Sequence, residues 1–231
     1  MRPSAVFLDC YGTLVADDRP AIEAVVSATA RRVGADAERL DRDWYARFRA
    51  LCAERSGPAF GTQHDLEIEA MGDAVRAQGA VLGAGPLGEL IRPLFRYWRS
   101  AAPFPDAVAL LEGWQGCPLL IVSNIDRADL DQVLPTLPPV AAVVTSEDTR
   151  GYKPDPAVFR AALQLSGVAA ADVVHVGDSW ESDVQGAIAA GITPVWLDRS
   201  GAGGSTHRDG VARICGLREL PRCIEALPTR R

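Results

Sequence analysis

Four short segments of this chain carry side chains suited to chemistry on an anion. The first is Asp9-Cys10-Tyr11-Gly12-Thr13-Leu14, in which a carboxylate follows the apolar run Ala5-Val6-Phe7-Leu8. A carboxylate at the end of a buried strand is a competent covalent nucleophile. Thr13 offers a hydroxyl to an anionic oxygen, and Gly12 lets the backbone turn tightly. On local grounds the same residues also read as an ordinary Asx-turn. The second segment, Val122-Ser123-Asn124, places a hydroxyl at a strand end, where a helix N-cap is the competing reading. The third is Lys153 in Gly151-Tyr152-Lys153-Pro154-Asp155-Pro156. A lysine held between Gly and Pro before a helix is either a solvated charge or a positioned one. The fourth, Gly177-Asp178-Ser179-Trp180-Glu181-Ser182-Asp183, gathers acids after an apolar run. They are either solvated or the oxygen ligands of a hard cation such as Mg²⁺.

The elements that would position these groups follow from apolar periodicity. Ala5–Leu8, Leu119–Val122, Val140–Val144, Val173–Val176 and Pro194–Leu197 are short apolar runs that read as buried strands. Between the later runs lie helical stretches at 106–114, 126–134, 156–165 and 183–190. Strand and helix in alternation predict an α/β fold with a parallel sheet covered on both faces. Ligands of such sheets sit beyond the carboxyl ends of the strands, the edge where Asp9, Ser123 and Asp178 all stand. From about Pro20 to Trp98 the pattern is helical throughout, at 20–33, 37–55, 63–78 and 87–98, broken by Gly and Pro. This block interrupts the sheet after its first strand and is expected to cap the crevice.

Bulk composition narrows the function class. The 231 residues suit one large domain, or one domain with a smaller insert. A net charge of −6 argues against nucleic acid or an anionic membrane as main partner, but not against a small anionic substrate near a metal. The five cysteines form no C-x-x-C pair and are odd in number, which predicts reduced thiols in a cytoplasmic protein. The N-terminal apolar run is too short for a signal peptide, and no stretch reaches the roughly 18 apolar residues of a membrane helix. Ser200–Ser205 reads as a flexible Gly/Ser loop.

Together the four segments resemble the haloacid dehalogenase (HAD) superfamily, and the resemblance covers nearly the whole chain. It implies a Rossmann-like core at 1–16 and 99–231 with an inserted helical cap at 17–98. It further implies a hydrolase in which Asp9 forms a covalent intermediate. Gly12, Thr13, Ser123 and Asn124 would bind the anion and Lys153 would neutralise it. Mg²⁺ would be held by Asp9, the Tyr11 carbonyl and Asp178, with Asp183 in support. A phosphatase of a small phosphorylated metabolite is the reading this favours.

One position departs from that pattern. Phosphatases of the superfamily carry a second Asp two residues after the nucleophile, as the proton donor and later the base. Here Tyr11 stands there, and a phenol is a poor base at neutral pH. His64, Glu54, Asp17 and Asp18 are the candidates to replace it. Asp-x-Tyr-Gly-Thr is instead the pattern of L-2-haloacid dehalogenases, which use the same nucleophile without metal. Against that alternative stand the intact Asp178 and Asp183 pair, Phe159 in place of a Tyr, and Tyr45 after Trp44, which leaves Arg47 or Arg49 to act as the cap arginine. A non-catalytic, binding role is the third possibility. His175 and Cys10 read as packing residues, the aromatics of the helical block as mostly cap core, and Arg92, Arg96 and Arg99 as a solvated stripe.

Overall fold

The computed structural model describes residues 2–201 and 207–228. Most of the proposed Gly/Ser loop, 202–205, lies outside the described residues.

Strand β1 (Ala5–Leu8) is buried along its whole length, and its residues divide between two apolar clusters. Val6 and Leu8 pack on one side of the sheet, Ala5 and Phe7 on the other. This is the outcome of a two-residue side-chain period in a sheet covered on both faces. The remaining strands are β2 (Leu119–Ser123), β3 (Ala142–Thr145), β4 (Val173–Gly177), β5 (Thr193–Leu197), β6 (His207–Arg208) and β7 (Val211–Ile214). They form one sheet in the order β3-β2-β1-β4-β5-β7-β6, parallel except for the β6–β7 pair. The α/β Rossmann-like expectation is met. The last two strands and the C-terminal helix were not foreseen, because nothing beyond Asp198 except the loop was assigned.

Four helices stand between β1 and β2 in the chain: α1 (Arg19–Val33), α2 (Ala37–Glu54), α3 (Gln63–Ala77) and α4 (Ala84–Trp98). Local chemistry sets their ends. Pro20 sits in the first turn of α1, and Gly34 ends that helix at φ 69°. Asp36 accepts the Arg39 amide at 2.7 Å to cap α2, and Thr62 accepts the Asp65 amide at 3.2 Å to cap α3. The helices bury Val25 and Ala30, Leu40 and Leu51, Leu66 and Met71, and Ile91 and Leu94 among themselves. The two connections to the sheet run side by side, with Ala16 N–H donating to Ala102 O at 2.9 Å and Phe104 N–H to Leu14 O at 2.9 Å.

Around the sheet lie α5 (Pro105–Gly113), α6 (Arg127–Val133), α7 (Ser146–Thr149), α8 (Pro156–Ser166), α9 (Gly186–Ala189) and α10 (Leu220–Ala226). The helix expected over 183–190 begins earlier, as a π-helical turn at Trp180–Gln185 that runs into α9. No described helix is long and apolar enough to cross a membrane, and all five cysteines are free thiols.

Candidate active site

The carboxyl ends of β1, β2 and β4 deliver Asp9, Ser123 and the 177–183 turn to one place. Asp9 follows the last residue of β1, and its amide donates to Val176 O of the neighbouring strand at 2.9 Å. Its carboxylate is used asymmetrically. Among the described residues, Oδ1 accepts from Ser123 Oγ at 2.9 Å and from Lys153 Nζ at 2.7 Å, whereas Oδ2 accepts no hydrogen bond. Lys153 reaches the site from the loop before α8, almost wholly buried. Its ammonium also donates to Val122 O at 2.9 Å and to Asp183 Oδ1 at 2.5 Å. Burial alone would lower this ammonium, but Asp183 and Asp9 outweigh it and hold it charged above the ordinary lysine value.

Asp183 is the best satisfied of the acids. Besides Lys153 it meets His175 Nε2 at 3.0 Å, and its Oδ2 accepts the Ser179 amide at 3.0 Å. Burial opposes its ionisation, yet Lys153 and His175 hold it well below the carboxylate range. Room for it is made at Gly177, where a Cβ would lie 2.2 Å from the Asp183 Cγ. His175, read from the sequence as packing, is therefore buried and also part of the site. The available signal was period two: His175 and Gly177 share one face of β4.

Among the described residues, Asp178 has no cationic partner of its own. Its side-chain partner is the Thr13 hydroxyl, at 3.4 Å, and Trp196 Nε1 holds its backbone carbonyl at 2.9 Å. Burial, then repulsion from Asp9 and Asp183, pushes its carboxyl well above the usual range despite Lys153. Asp9 is raised too, chiefly by burial, with Lys153 pulling the other way. Carboxylate oxygens of Asp9, Asp178 and Asp183 all lie within 4.8 Å of one another. Three carboxylates thus face one ammonium, a surplus of negative charge carried on hard oxygen donors. That donor set fits a Mg²⁺-sized divalent cation.

The turn that follows Asp9 closes over this cluster. Gly12 has φ 81°, and a Cβ there would lie 2.5 Å from Asp178 Oδ2, so glycine is required twice over. Thr13 is fully buried. The Tyr11 hydroxyl donates to Trp98 O at 2.6 Å at the end of α4. Burial raises its phenol further, which removes it as a base at neutral pH. Any part Tyr11 takes in the site is through its backbone. Asn124, expected to contact the anion, has both amide atoms engaged elsewhere. Its Oδ1 accepts the Lys153 amide at 2.7 Å and its Nδ2 donates to Lys153 O at 3.0 Å, so it fixes the lysine loop.

A haloacid dehalogenase-like hydrolase profile matches residues 3–191. The chain belongs to this family. As a HAD-like hydrolase it is 44% identical over 92 residues to the haloacid dehalogenase-like hydrolase domain-containing protein 3 of Danio rerio, covering 38% of this chain and 37% of that one. The corresponding mouse match is 38% identical over 49% of this chain and 46% of the relative. The chain spans less than half the length of these two curated relatives. It is also 41% identical over 138 residues to the phosphoserine phosphatase of Thermus thermophilus, 57% of this chain and 55% of the other. In fold it resembles the L-2-haloacid dehalogenase of Xanthobacter autotrophicus, with a TM-score of 0.72, 19% identity, and coverage of 99% and 100%. It is similarly close to the HAD-hydrolase YfnB of Bacillus subtilis bound to magnesium, with a TM-score of 0.73, 17% identity, and coverage of 97% and 100%.

The candidate replacements for the proton donor of this HAD-like hydrolase are dispersed. Glu54 pairs with Arg47 at 3.0 Å. Asp17 accepts the Arg19 amide at 2.9 Å on the surface. His64 stacks on Phe95 at 3.8 Å between ring centroids and meets Asp129 Oδ2 at 2.6 Å. Asp18 is largely buried, accepts from Trp98 Nε1 at 2.8 Å, and is raised by burial. Of the two cap arginines, Arg47 is held by Asp73 and Glu54 and is spoken for. Arg49 reaches Glu181 of the acidic turn. That pair stands beside a cavity of about 610 Å³ between the helical block and the core, lined by Cys52, Ser56, Tyr152 and Lys153. Phe159 packs edge-on against His175 in the core, 5.0 Å between centroids, and does not face this cavity. Arg99, placed in a solvated stripe, is exposed and also donates to Asp129 at 2.6 Å.

Proposed function

We propose that this HAD-like hydrolase is a Mg²⁺-dependent phosphatase of a small phosphorylated metabolite. One observation carries the reading: among the described residues, three converging carboxylates share a single lysine, and one of them, Asp178, lacks a cationic partner. A phosphate dianion can approach Asp9 only if that charge is offset, and phosphoryl transfer is driven mainly by positioning and neutralisation. Asp9, Asp178 and the Tyr11 carbonyl would hold the ion, with Asp183 in support. The ion would supply electrostatic stabilisation of the transferring group.

The residues of the chain divide the remaining work. Ser123 and Lys153 fix Asp9 Oδ1, which leaves Oδ2 to attack phosphorus. The P–O bond to the alcohol breaks as the O–P bond to Asp9 forms, and water then releases inorganic phosphate and restores the carboxylate. Lys153, Ser123 and Thr13 orient and neutralise the phosphate oxygens. The net charge of −6 speaks against nucleic acid or an anionic membrane surface and leaves room for a small anionic substrate beside a metal. Inorganic phosphate release from a phosphomonoester panel tests this. Activity should vanish with EDTA and with Asp9→Asn, and turnover that persists in EDTA would sink it.

A second reading, the 2-haloacid dehalogenase, is favoured by Tyr11 alone. Halide needs no proton on leaving, so a turn without a second Asp would serve it. Chloride release from L-2-chloropropionate without added metal would establish that reaction and displace the phosphatase.

A further inference from the structure

The geometry points to Arg199 as the positioning residue of the nucleophile turn, an inference that rests on Asp9 being the nucleophile. Arg199 follows β5, far in sequence from the Gly12–Thr13 turn that it contacts. Its Nε donates to Gly12 O at 3.2 Å and its Nη2 to Thr13 O at 2.7 Å. The opposite edge of the guanidinium is held by Asp106 in the first turn of α5, with Nη1–Oδ2 at 3.0 Å and Nη2–Oδ1 at 3.1 Å. The face of the group lies over the Phe104 ring, 3.8 Å from its centroid. Asp106 is itself anchored, accepting the Leu217 amide at 2.8 Å.

The peptide planes gripped in this way are those that set the site. The amide ends of the Gly12–Thr13 and Thr13–Leu14 peptides donate to Cys10 O at 3.2 and 2.7 Å. Arg199 takes the two carbonyl ends. Both peptide units are therefore pinned at both edges, and with them the Thr13 hydroxyl and the backbone that leads from Asp9. Phe104, under the guanidinium, donates its amide to Leu14 O at 2.9 Å, so the strand that returns from the helical block closes the same ring of contacts. A planar fork with several fixed N–H directions and a stacking face is needed for this; an ammonium at the same place cannot reproduce it.

Arg199→Lys and Arg199→Ala test the assignment through two independent readouts. Amide exchange at Thr13 and Leu14 should speed at least about tenfold in both variants, while protection in β1 and β4 is retained. For phosphate release in Mg²⁺, kcat should fall by about 10- to 100-fold, the scale of a misplaced reacting group, with KM within about threefold. Millimolar guanidinium should return part of the lost kcat to Arg199→Ala but not to Arg199→Lys. Uniform loss of protection across the chain would reduce Arg199 to a stability residue and overturn the proposal, as would a loosened turn with unchanged kcat. If the wild-type protein releases no phosphate from any ester, the phosphatase reading fails, and unchanged exchange at Thr13 and Leu14 would separately defeat the clamp.

Discussion

Tyr11 and Trp98 are joined by a 2.6 Å hydrogen bond from phenol to backbone carbonyl, so the residue two places after Asp9 is tied to the end of the helical block. The side chain at the usual proton-donor position is thereby committed to holding the block in place. Hydrolysis should then depend steeply on leaving-group acidity. Aryl and acyl phosphates should turn over far better than alkyl phosphates, and Tyr11→Asp should flatten that dependence. A restored general acid is worth about 10²–10⁴ in rate for a poor leaving group. A substrate series of graded leaving-group pKa measures the slope in both proteins, and equal slopes would refute the argument.

Lys153 compensates Asp9 and Asp183 at once, and its removal leaves buried acids facing each other. Breaking a buried pair of this kind costs about 3–5 kcal/mol because the remaining charge is uncompensated. Lys153→Ala should lose both activity and that much stability in urea unfolding at pH 7. Added Mg²⁺ should return part of the stability, and none should return if the acids hold no cation.

Gly177 offers a more local perturbation. A methyl group there collides with Asp183, while the backbone is free of positive-φ strain. Gly177→Ala should displace Asp183, detach it from Lys153 and His175, and raise the Mg²⁺ concentration needed for half-maximal rate by about tenfold, a typical cost of losing a supporting partner at a metal site. A magnesium titration of the initial rate is sufficient to check it.

Much of this arrangement was legible beforehand, and two different causes account for the parts that were not. Buried parallel strands write themselves as continuous apolar runs, so β1, β2, β4 and β5 and the edge that carries Asp9, Ser123 and Asp178 followed from pattern alone. The strand proposed at Val140–Val144 begins at Ala142 and reaches Thr145, a shift of the usual size at element ends. Strand β7, Val211–Ile214, escaped because four residues with a buried arginine, Arg213, do not read as apolar. Arg199 escaped, and Asn124 was given an anion to bind rather than a loop to hold, for a different reason. Their roles come from partners distant in the chain, and no local spacing encodes an arginine that grips a turn 186 residues away.

Asp129 gives a pH dependence with a defined sign. Burial opposes its ionisation, but His64 and Arg99 outweigh that and hold its carboxyl below the ordinary value. A carboxylate depressed on folding contributes stability above its unfolded pKa of about 3.9, and that contribution is lost as pH falls through the folded pKa. The stability gap between wild type and Asp129→Asn should be full at pH 6 and shrink below about pH 4. Urea unfolding at a series of pH values tests it; a gap independent of pH would mean that the ionised form of Asp129 contributes nothing.

The first turn of α3 draws two of its caps from outside the helical block: Asp126, at the start of α6, accepts the amides of Gln63 at 2.8 Å and His64 at 3.1 Å. Any swing of the block away from the sheet has to strip those amides of their acceptor. The seating of the block on the sheet and the order of that turn are therefore coupled, because parting the two would leave a helix N-terminus without its carboxylate.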